Sequence, residues 1–225
     1  MAKDFRCSVD ELADFKAPVI AIIVGEGSTS TFYVDERLIC QQSAFFKAAL
    51  SKSWTEGARR VVRLPDEEEK VVHAYLHWLY HNKVACLDTE NDGYSLLASL
   101  YVFGEKLLDK TFKDVIIDCI IATSRGLVVK DGTTNMHRFP AKESVDILYQ
   151  GTSEGSPARQ MLVDMHQVYA KETWINGDAN HDFLVELTTA LIRNDRYTAS
   201  ARLHNGACAY HCHGKDEQCP SKRAE

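Results

Sequence analysis

The sequence predicts an α+β fold, in which a small β-sheet is capped by a helical cluster and followed by a mostly helical C-terminal region. Two β-rich segments, 18–25 (PVIAIIVG) and 29–34 (TSTFYV), stand on either side of a turn signal at 25–28. A third short β-rich run, VVRL, follows at 61–64. Most of the remaining apolar residues recur at helical spacing, which indicates helices between and after the strands.

The first two β-rich segments are predicted to pair as a hairpin. Apolar residues occupy consecutive positions in the first strand, so both of its faces are expected to be covered. A short helix is expected over Asp35–Cys40, and Ser43 is expected to cap a second helix with the sequence AFFKAALS. Phe46 and Leu50 are four residues apart and would share one face of that helix.

Three longer helices are predicted in the next part of the chain. The run from Pro65 to Glu69 opens the first, with its acids in the first turn, where the helix dipole favours them. Its broad apolar stripe indicates packing on two sides. A helical pair is expected over Tyr94–Lys106 and Lys110–Ser124. The core candidates on this pair are Leu97, Tyr101, Leu108, Phe112, Val115, Ile116, Cys119 and Ile120.

A domain boundary is predicted near residue 130, where glycine and polar residues accumulate. The predicted units are an N-terminal extension (1–16), a first domain (17–127) and a helical C-terminal extension (128–225). Helices are expected in the extension over 141–149, 156–170 and 183–192; Ser156-Pro157 is a good helix start. The last 30 residues are charged and are expected to be loosely ordered, except for a Cys/His cluster.

The composition narrows the classes of function. Hydrophobic residues make up 45% of the chain, which allows a sizeable core, and the formal net charge of -6 argues against nucleic-acid binding. No signal peptide is recognisable, and no apolar run approaches the roughly 20 residues of a membrane helix. The seven cysteines are an odd number, and four are scattered singly: Cys7, Cys40, Cys86 and Cys119. Reduced thiols and an intracellular protein, in the nucleus or the cytoplasm, are therefore expected.

Several residues in fixed order resemble the BTB/POZ domain. A leucine–serine–phenylalanine–phenylalanine signature spans Leu38 to Phe46, and the acidic residue that follows it in the family is Glu56. A strand leading into Leu-Pro and Asp lies at Val62 to Asp66, and a Trp-Leu-Tyr step at Trp78 to Tyr80. The resemblance covers about residues 17 to 125. The remaining part is similar to the tails of BTB proteins from filamentous fungi.

The resemblance implies a protein–protein interaction module and not an enzyme. BTB domains form dimers, and some are substrate adaptors of cullin-type ubiquitin ligases. The residues that match the adaptor pattern are Trp54, Thr55 and Glu56, and Phe46 of the signature is added to the predicted partner-binding set. An exposed aromatic beside a carboxylate offers an anchor and an orienting charge. The alternative is that Trp54 packs under its loop and Glu56 is simply solvated.

The sequence departs from the family in two places. Pro18 stands where the family usually has an Asp, and Asp35-Glu36 stands where it usually has His-Lys or His-Arg. The buried acid–base pair of some dimeric BTB repressors is therefore missing, which argues against corepressor binding through that pocket and against the usual dimer interface. Val9, Leu12 and Phe15 fit either a short N-terminal dimer helix or packing against their own domain.

Two motifs raise the alternative of an enzyme or a metal protein. The stretch 151–155 (GTSEG) matches the G-x-S-x-G nucleophile elbow, with Ser153 as the serine of a hydrolase. That motif requires a strand before it and a large parallel sheet, so a polar loop is the preferred interpretation. His73, His77 and His81 recur along one helix face. A partly exposed face is preferred there over a metal site, because the spacing fixes no cysteine or carboxylate partner.

The C-terminal cluster is a stronger metal candidate. Cys208, His211, His213 and Cys219 offer four nitrogen and sulfur ligands, the number that a structural zinc site requires. Alternate residues of an extended chain point the same way, so both histidines could face one ion. Cys212 or His204 could replace one ligand, and a tail with free thiols is the alternative. With zinc, a zinc-stabilised transcriptional regulator becomes the second candidate function, although the spacing is not that of a DNA-reading finger.

Overall fold

The computed structural model describes residues 16, 18–27, 30–51, 59–86, 93–125, 139–171, 178–214 and 217–220. Over these residues the protein is mostly helical and contains one three-stranded sheet. The predicted α+β class is therefore confirmed.

The sheet consists of β1 (Val19–Val24), β2 (Ser30–Asp35) and β3 (Val61–Leu64), in the order β2-β1-β3. β1 and β2 are antiparallel, with Val19 opposite Asp35 and Val24 opposite Ser30. β3 runs parallel to β1. The predicted hairpin and third strand are both present, and β1 lies at the centre of the sheet.

Burial along β1 differs from the prediction that both of its faces are covered. Ile20, Ile22 and Val24 are at most 1% exposed, because this face lies in the core. On the opposite face Val19 is 57% exposed, and the side chains at 21 and 23 are partly exposed. The apolar run therefore behaves as an ordinary alternating strand with one buried face.

In the first part of the described chain, α1 (Glu36–Gln42) and α2 (Ala44–Ala49) lie between β2 and β3. β3 is followed by α3 (Glu69–His81), α4 (Tyr94–Leu107) and α5 (Lys110–Arg125). α3 begins four residues later than predicted, because Pro65 and Asp66 form a turn after β3 and Glu68 takes the N-cap position. Leu108 is not a core residue: it ends α4 in the left-handed conformation and is 62% exposed.

An aromatic cluster forms the centre of the core. The ring of Tyr75 on α3 lies 4.9 Å from that of Phe112 on α5 and 5.5 Å from that of Phe103 on α4. Trp78 is one turn further along α3, with its ring 4.7 Å from that of Phe112. The broad apolar stripe on α3 therefore serves to join the sheet to α4 and α5.

The C-terminal region is helical: α6 (Lys142–Gly151), α7 (Pro157–Tyr169), α8 (His181–Arg193), α9 (Arg196–Asn205) and a 3₁₀ helix (Ala207–Tyr210). α6 packs on α4, and α9 packs on α7. The prediction of a loosely ordered end is wrong for the described part of the last 30 residues. Leu203 and Tyr210 are buried there, and Arg202 pairs with the buried Asp164 of α7.

Candidate metal centre

The four residues of the C-terminal cluster lie together in the structure. Each of Cys208, His211, His213 and Cys219 offers one ligand atom, and these atoms all lie within 4.8 Å of one another. The two sulfur atoms are 3.2 Å apart, and the Cys219 sulfur is 3.5 Å from Nδ1 of His211. Cys219 is buried, both histidines are partly buried and Cys208 is exposed. The cluster therefore has one face in the protein and one at the surface.

The 3₁₀ helix positions the first half of the cluster. Tyr210 ends this helix, is 1% exposed and donates its hydroxyl to Oδ2 of Asp164 at 2.7 Å. Because Tyr210 is fixed in the core, Cys208 and His211 on either side of it are held at the adjacent surface. The chain then becomes extended, and the rings of His211 and His213 lie 5.2 Å apart.

Two carboxylates on α5 hold the segment that carries the histidines. Asp114 is 1% exposed and accepts the backbone N–H groups of Cys212 and His213 at 2.5 and 3.2 Å. Asp118 lies one turn further along α5, and its Oδ1 is 3.1 Å from Nε2 of His211. Charge-assisted bonds of this kind are stronger than bonds between neutral groups. Sequence reasoning did not identify either aspartate.

Each histidine has one nitrogen that donates outward. Nε2 of His211 faces the Asp118 carboxylate, and Nδ1 of His213 is 3.0 Å from the carbonyl oxygen of Gly214. In a neutral imidazole the other nitrogen then carries a lone pair. Burial alone would lower the pKa of His211, but the Asp118 carboxylate raises it above its ordinary value. The Gly214 carbonyl raises the pKa of His213 in the same way.

The two substitute ligands considered from the sequence do not join the cluster. The backbone of Cys212 is bound to Asp114, and burial raises the pKa of its thiol. Nδ1 of His204 is 2.7 Å from the carbonyl oxygen of Ser200, within its own helix. Among the residues that the structure describes, the cluster of four therefore keeps the composition that the sequence predicted.

Of the predicted partner-binding residues, the structure describes only Phe46. Trp54, Thr55 and Glu56 lie outside the described residues. Phe46 is 0% exposed and packs edge-to-face against Phe45, with 5.3 Å between the ring centroids. In this conformation Phe46 is a core residue, and it has no surface with which to contact a partner.

The structural context of Ser153 differs from that of a nucleophile elbow. Ser153 is exposed and follows α6, whereas the elbow places its serine after a strand. The structure accounts for the glycine at both ends of the motif. Gly151 lies against Val102 of α4, and Gly155 has a positive φ of 78° in the turn before α7.

The histidine stripe on α3 stays near the surface. The ring of His77 is 4.6 Å from that of His81, and His73 is exposed beside Phe32. Within the described ranges, these three histidines do not form a group of three ligand atoms.

None of the helices in the described part of the chain is both long and apolar enough to cross a membrane. No protein-family model matches this chain, and no curated protein matches it.

Proposed function

We propose that this chain is a protein–protein interaction module of the BTB/POZ type. The observation that supports this proposal is the placement of the signature serine. Ser43 is 0% exposed; its hydroxyl accepts the N–H of Phe46 at 3.2 Å and donates to the carbonyl oxygen of Leu107 at 2.7 Å. One side chain thus caps α2 and fastens it to the end of α4. The two bonds give this serine a structural role, which supports its assignment to the signature.

The other residues of the resemblance also occupy positions that shape the fold. Trp78 is 3% exposed and lies in the aromatic cluster, while the Tyr80 hydroxyl accepts the N–H of Asp35 at 3.0 Å. Tyr80 therefore links the end of α3 to the end of β2. The Leu-Pro step ends β3 and leads into the turn before α3. These contacts join the sheet to the helical cluster, and this arrangement supports the proposal.

In its sharper form, the proposal is that the module is a substrate adaptor of a cullin-type ubiquitin ligase. Trp54 and Glu56 would provide the anchor and the orienting charge. They lie between Ser51, which follows α2, and β3. The C-terminal region would then be the candidate for the part that binds a substrate.

Cross-linking in cells tests the general form of this proposal. The lysines Lys47, Lys70 and Lys110 are exposed on α2, α3 and α5 and provide reactive sites. We expect cross-links from these lysines to a second copy of the chain or to a recurrent protein, which then binds the purified chain. Two results together would contradict the proposal: the chain gives only internal cross-links in cells, and the purified chain stays monomeric.

A further inference from the structure

We propose that Cys208, His211, His213 and Cys219 bind one structural zinc ion. The four donors are two sulfur and two nitrogen atoms, with no carboxylate among them. Thiolate and imidazole ligands favour zinc over calcium or magnesium, which prefer oxygen. Four protein ligands complete a tetrahedron, so the site has no open position for a substrate. The proposal goes beyond the interaction function and does not depend on it.

The spacing of the ligand atoms is close to that around a zinc ion, without matching it in every pair. Bond lengths of about 2.0–2.3 Å in a tetrahedral site place neighbouring ligand atoms about 3.3–3.8 Å apart. The Cys219 sulfur is 3.2 Å from the Cys208 sulfur and 3.5 Å from Nδ1 of His211. The largest separation within the group is 4.8 Å. Side-chain movements of about 1 Å would complete the coordination.

A buried nitrogen provides independent support for a ligand. Nε2 of His213 is buried and has no hydrogen-bond partner among the described residues. Nδ1 of this ring already donates to the Gly214 carbonyl, so Nε2 carries the lone pair. A buried polar atom without a partner costs roughly 1–3 kcal/mol. A zinc ion in the cluster would accept this lone pair and remove the cost.

Asp118 is assigned as a positioning residue for the metal. Its carboxylate accepts from Nε2 of His211 at 3.1 Å, which leaves Nδ1 to face the Cys219 sulfur. A carboxylate behind a zinc-bound histidine fixes the tautomer and the ring orientation, and it makes the nitrogen ligand more basic. The aspartate therefore acts on the metal through His211.

The zinc ion would fasten the end of the chain to α5. Asp114 and Asp118 already bind the segment 211–213. The two cysteine ligands precede and follow this segment in the sequence, as Cys208 and Cys219. One ion would close residues 208–219 into a loop and fix that loop against the helix. Binding of this kind stabilises the folded state, because the unfolded chain has no preformed site.

The test uses the full chain in a reducing buffer, because oxidation of the adjacent Cys208 and Cys219 sulfurs would remove two ligands. Zinc content and affinity are measured by elemental analysis and by competition with a chromophoric chelator. Cobalt titration then reports the geometry. We expect one zinc per chain, tetrahedral cobalt bands with a thiolate charge-transfer band, and a lower Tm after chelation.

Three variants assign the ligands. Cys208→Ser is expected to remove the charge-transfer contribution of one sulfur and to weaken zinc binding more than any other variant of the three. Asp118→Asn should retain one zinc per chain with roughly 10–100-fold lower affinity. The Tm of the metal-free variant measures separately what the bond to His211 contributes to the fold. Cys212→Ser is the matched control, a thiol of the same segment outside the cluster, and should bind zinc like the wild type.

Four results would contradict the proposed zinc site or its assignment. A folded, reduced wild type that binds neither zinc nor cobalt stoichiometrically would do so, even if the variants do not fold. Wild-type affinity in Cys208→Ser, or loss of zinc in Cys212→Ser, would show that the ligands are assigned incorrectly. An Asp118→Asn variant with wild-type affinity would remove the positioning role.

Discussion

Asp109 carries a buried carboxyl group, and burial disfavours the ionised form of this group. It is 0% exposed, and its Oδ1 caps the start of α5 by accepting the N–H of Phe112 at 2.9 Å. Its Oδ2 accepts a hydrogen bond from the Tyr75 hydroxyl at 3.1 Å. Burial raises the pKa of Asp109 to about 6, although both hydrogen bonds favour the charged form. This residue links the cap of α5 to the aromatic cluster, so its charge state bears on the stability of the core.

We predict that Asp109 makes the protein less stable as the pH rises from about 4 to about 6. In this interval the unfolded chain has lost the proton, with an ordinary pKa of about 3.9, while the folded chain retains it. The folded state binds more protons, so raising the pH lowers the free energy of unfolding. The loss should approach about 3 kcal/mol above the folded pKa, given about 1.4 kcal/mol for each unit of pKa shift.

Denaturant unfolding at a series of pH values measures this effect. Asp109→Asn is the matched control, because its side-chain oxygen can still accept from the Phe112 N–H and it does not titrate. The difference in the free energy of unfolding between wild type and variant should change between about pH 4 and 6 and be constant above. Parallel curves for the two proteins across this range would contradict the prediction.

The four ligand residues could be predicted from the sequence, whereas the aspartates that bind the same segment could not. Cys208, His211, His213 and Cys219 are close in the chain, so their spacing alone predicted a cluster. Asp118 lies 93 residues from His211, and only the packing of the 3₁₀ helix on α5 brings the two together. The local signal was a pair of aspartates one turn apart on an amphipathic helix, and such a pair does not by itself indicate a distant histidine.

At the scale of whole elements, α4 and α6 approach closely at a glycine. A Cβ atom built on Gly151 would overlap both γ-methyl groups of Val102 and would lie 2.9 Å from its Cβ. The first glycine of the G-x-S-x-G stretch is therefore required by helix packing. This packing accounts for the glycine at position 151.

We predict that Gly151→Ala lowers the free energy of unfolding by about 1–3 kcal/mol, the usual cost of overpacking a core. Val102→Ala removes both γ-methyl groups and should relieve most of the overlap, so the double variant should be more stable than the sum of the two single changes predicts, with a coupling of about 0.5–3 kcal/mol. Chemical denaturation of the four proteins completes the cycle. Strictly additive effects would show that the two side chains do not meet.

Helices were predicted well where their signals are local and poorly where they depend on distant partners. Ser156-Pro157 marked the start of α7 correctly, because proline is favoured at the first position of a helix, whatever its distant partners. α9 was missed: its sequence is charged and its apolar periodicity is weak. The Nε atom of Arg202 on α9 is 2.6 Å from Asp164, 38 residues earlier in the chain. The stability of α9 therefore comes from tertiary contacts that no local pattern reveals.

At the scale of the whole molecule, the C-terminal segment is held at two places. Asp164 is 0% exposed and accepts from both Arg202 and the Tyr210 hydroxyl, which fastens α9 and the 3₁₀ helix to α7. Asp114 and Asp118 then fasten the following residues to α5. The segment 196–213 therefore bridges the helices of its own region and the helical cluster next to the sheet.

The fold class was predictable from the sequence, because hydrophobic periodicity and turn signals depend on short stretches of chain. The burial of Phe46 was not. Its spacing to Leu50 marked an apolar helix face, but spacing does not say whether that face meets the core or a partner. The packing of α2 against α1 and α4 decides this, and it arises only in the folded chain.

Binding to a cullin scaffold is the measurement that tests the functional claim most directly. The purified, zinc-loaded chain would be titrated calorimetrically with the N-terminal domain of a cullin, beside a Trp54→Ala, Glu56→Ala double variant. A Tyr197→Ala, Glu154→Ala variant is the matched control, because it removes an exposed aromatic and an exposed acid from the C-terminal region. We predict sub-micromolar binding that only the Trp54/Glu56 variant loses, by more than about 2 kcal/mol, as expected for an interface hot spot. No binding by the folded wild type, or equal losses in both variants, would contradict the adaptor role.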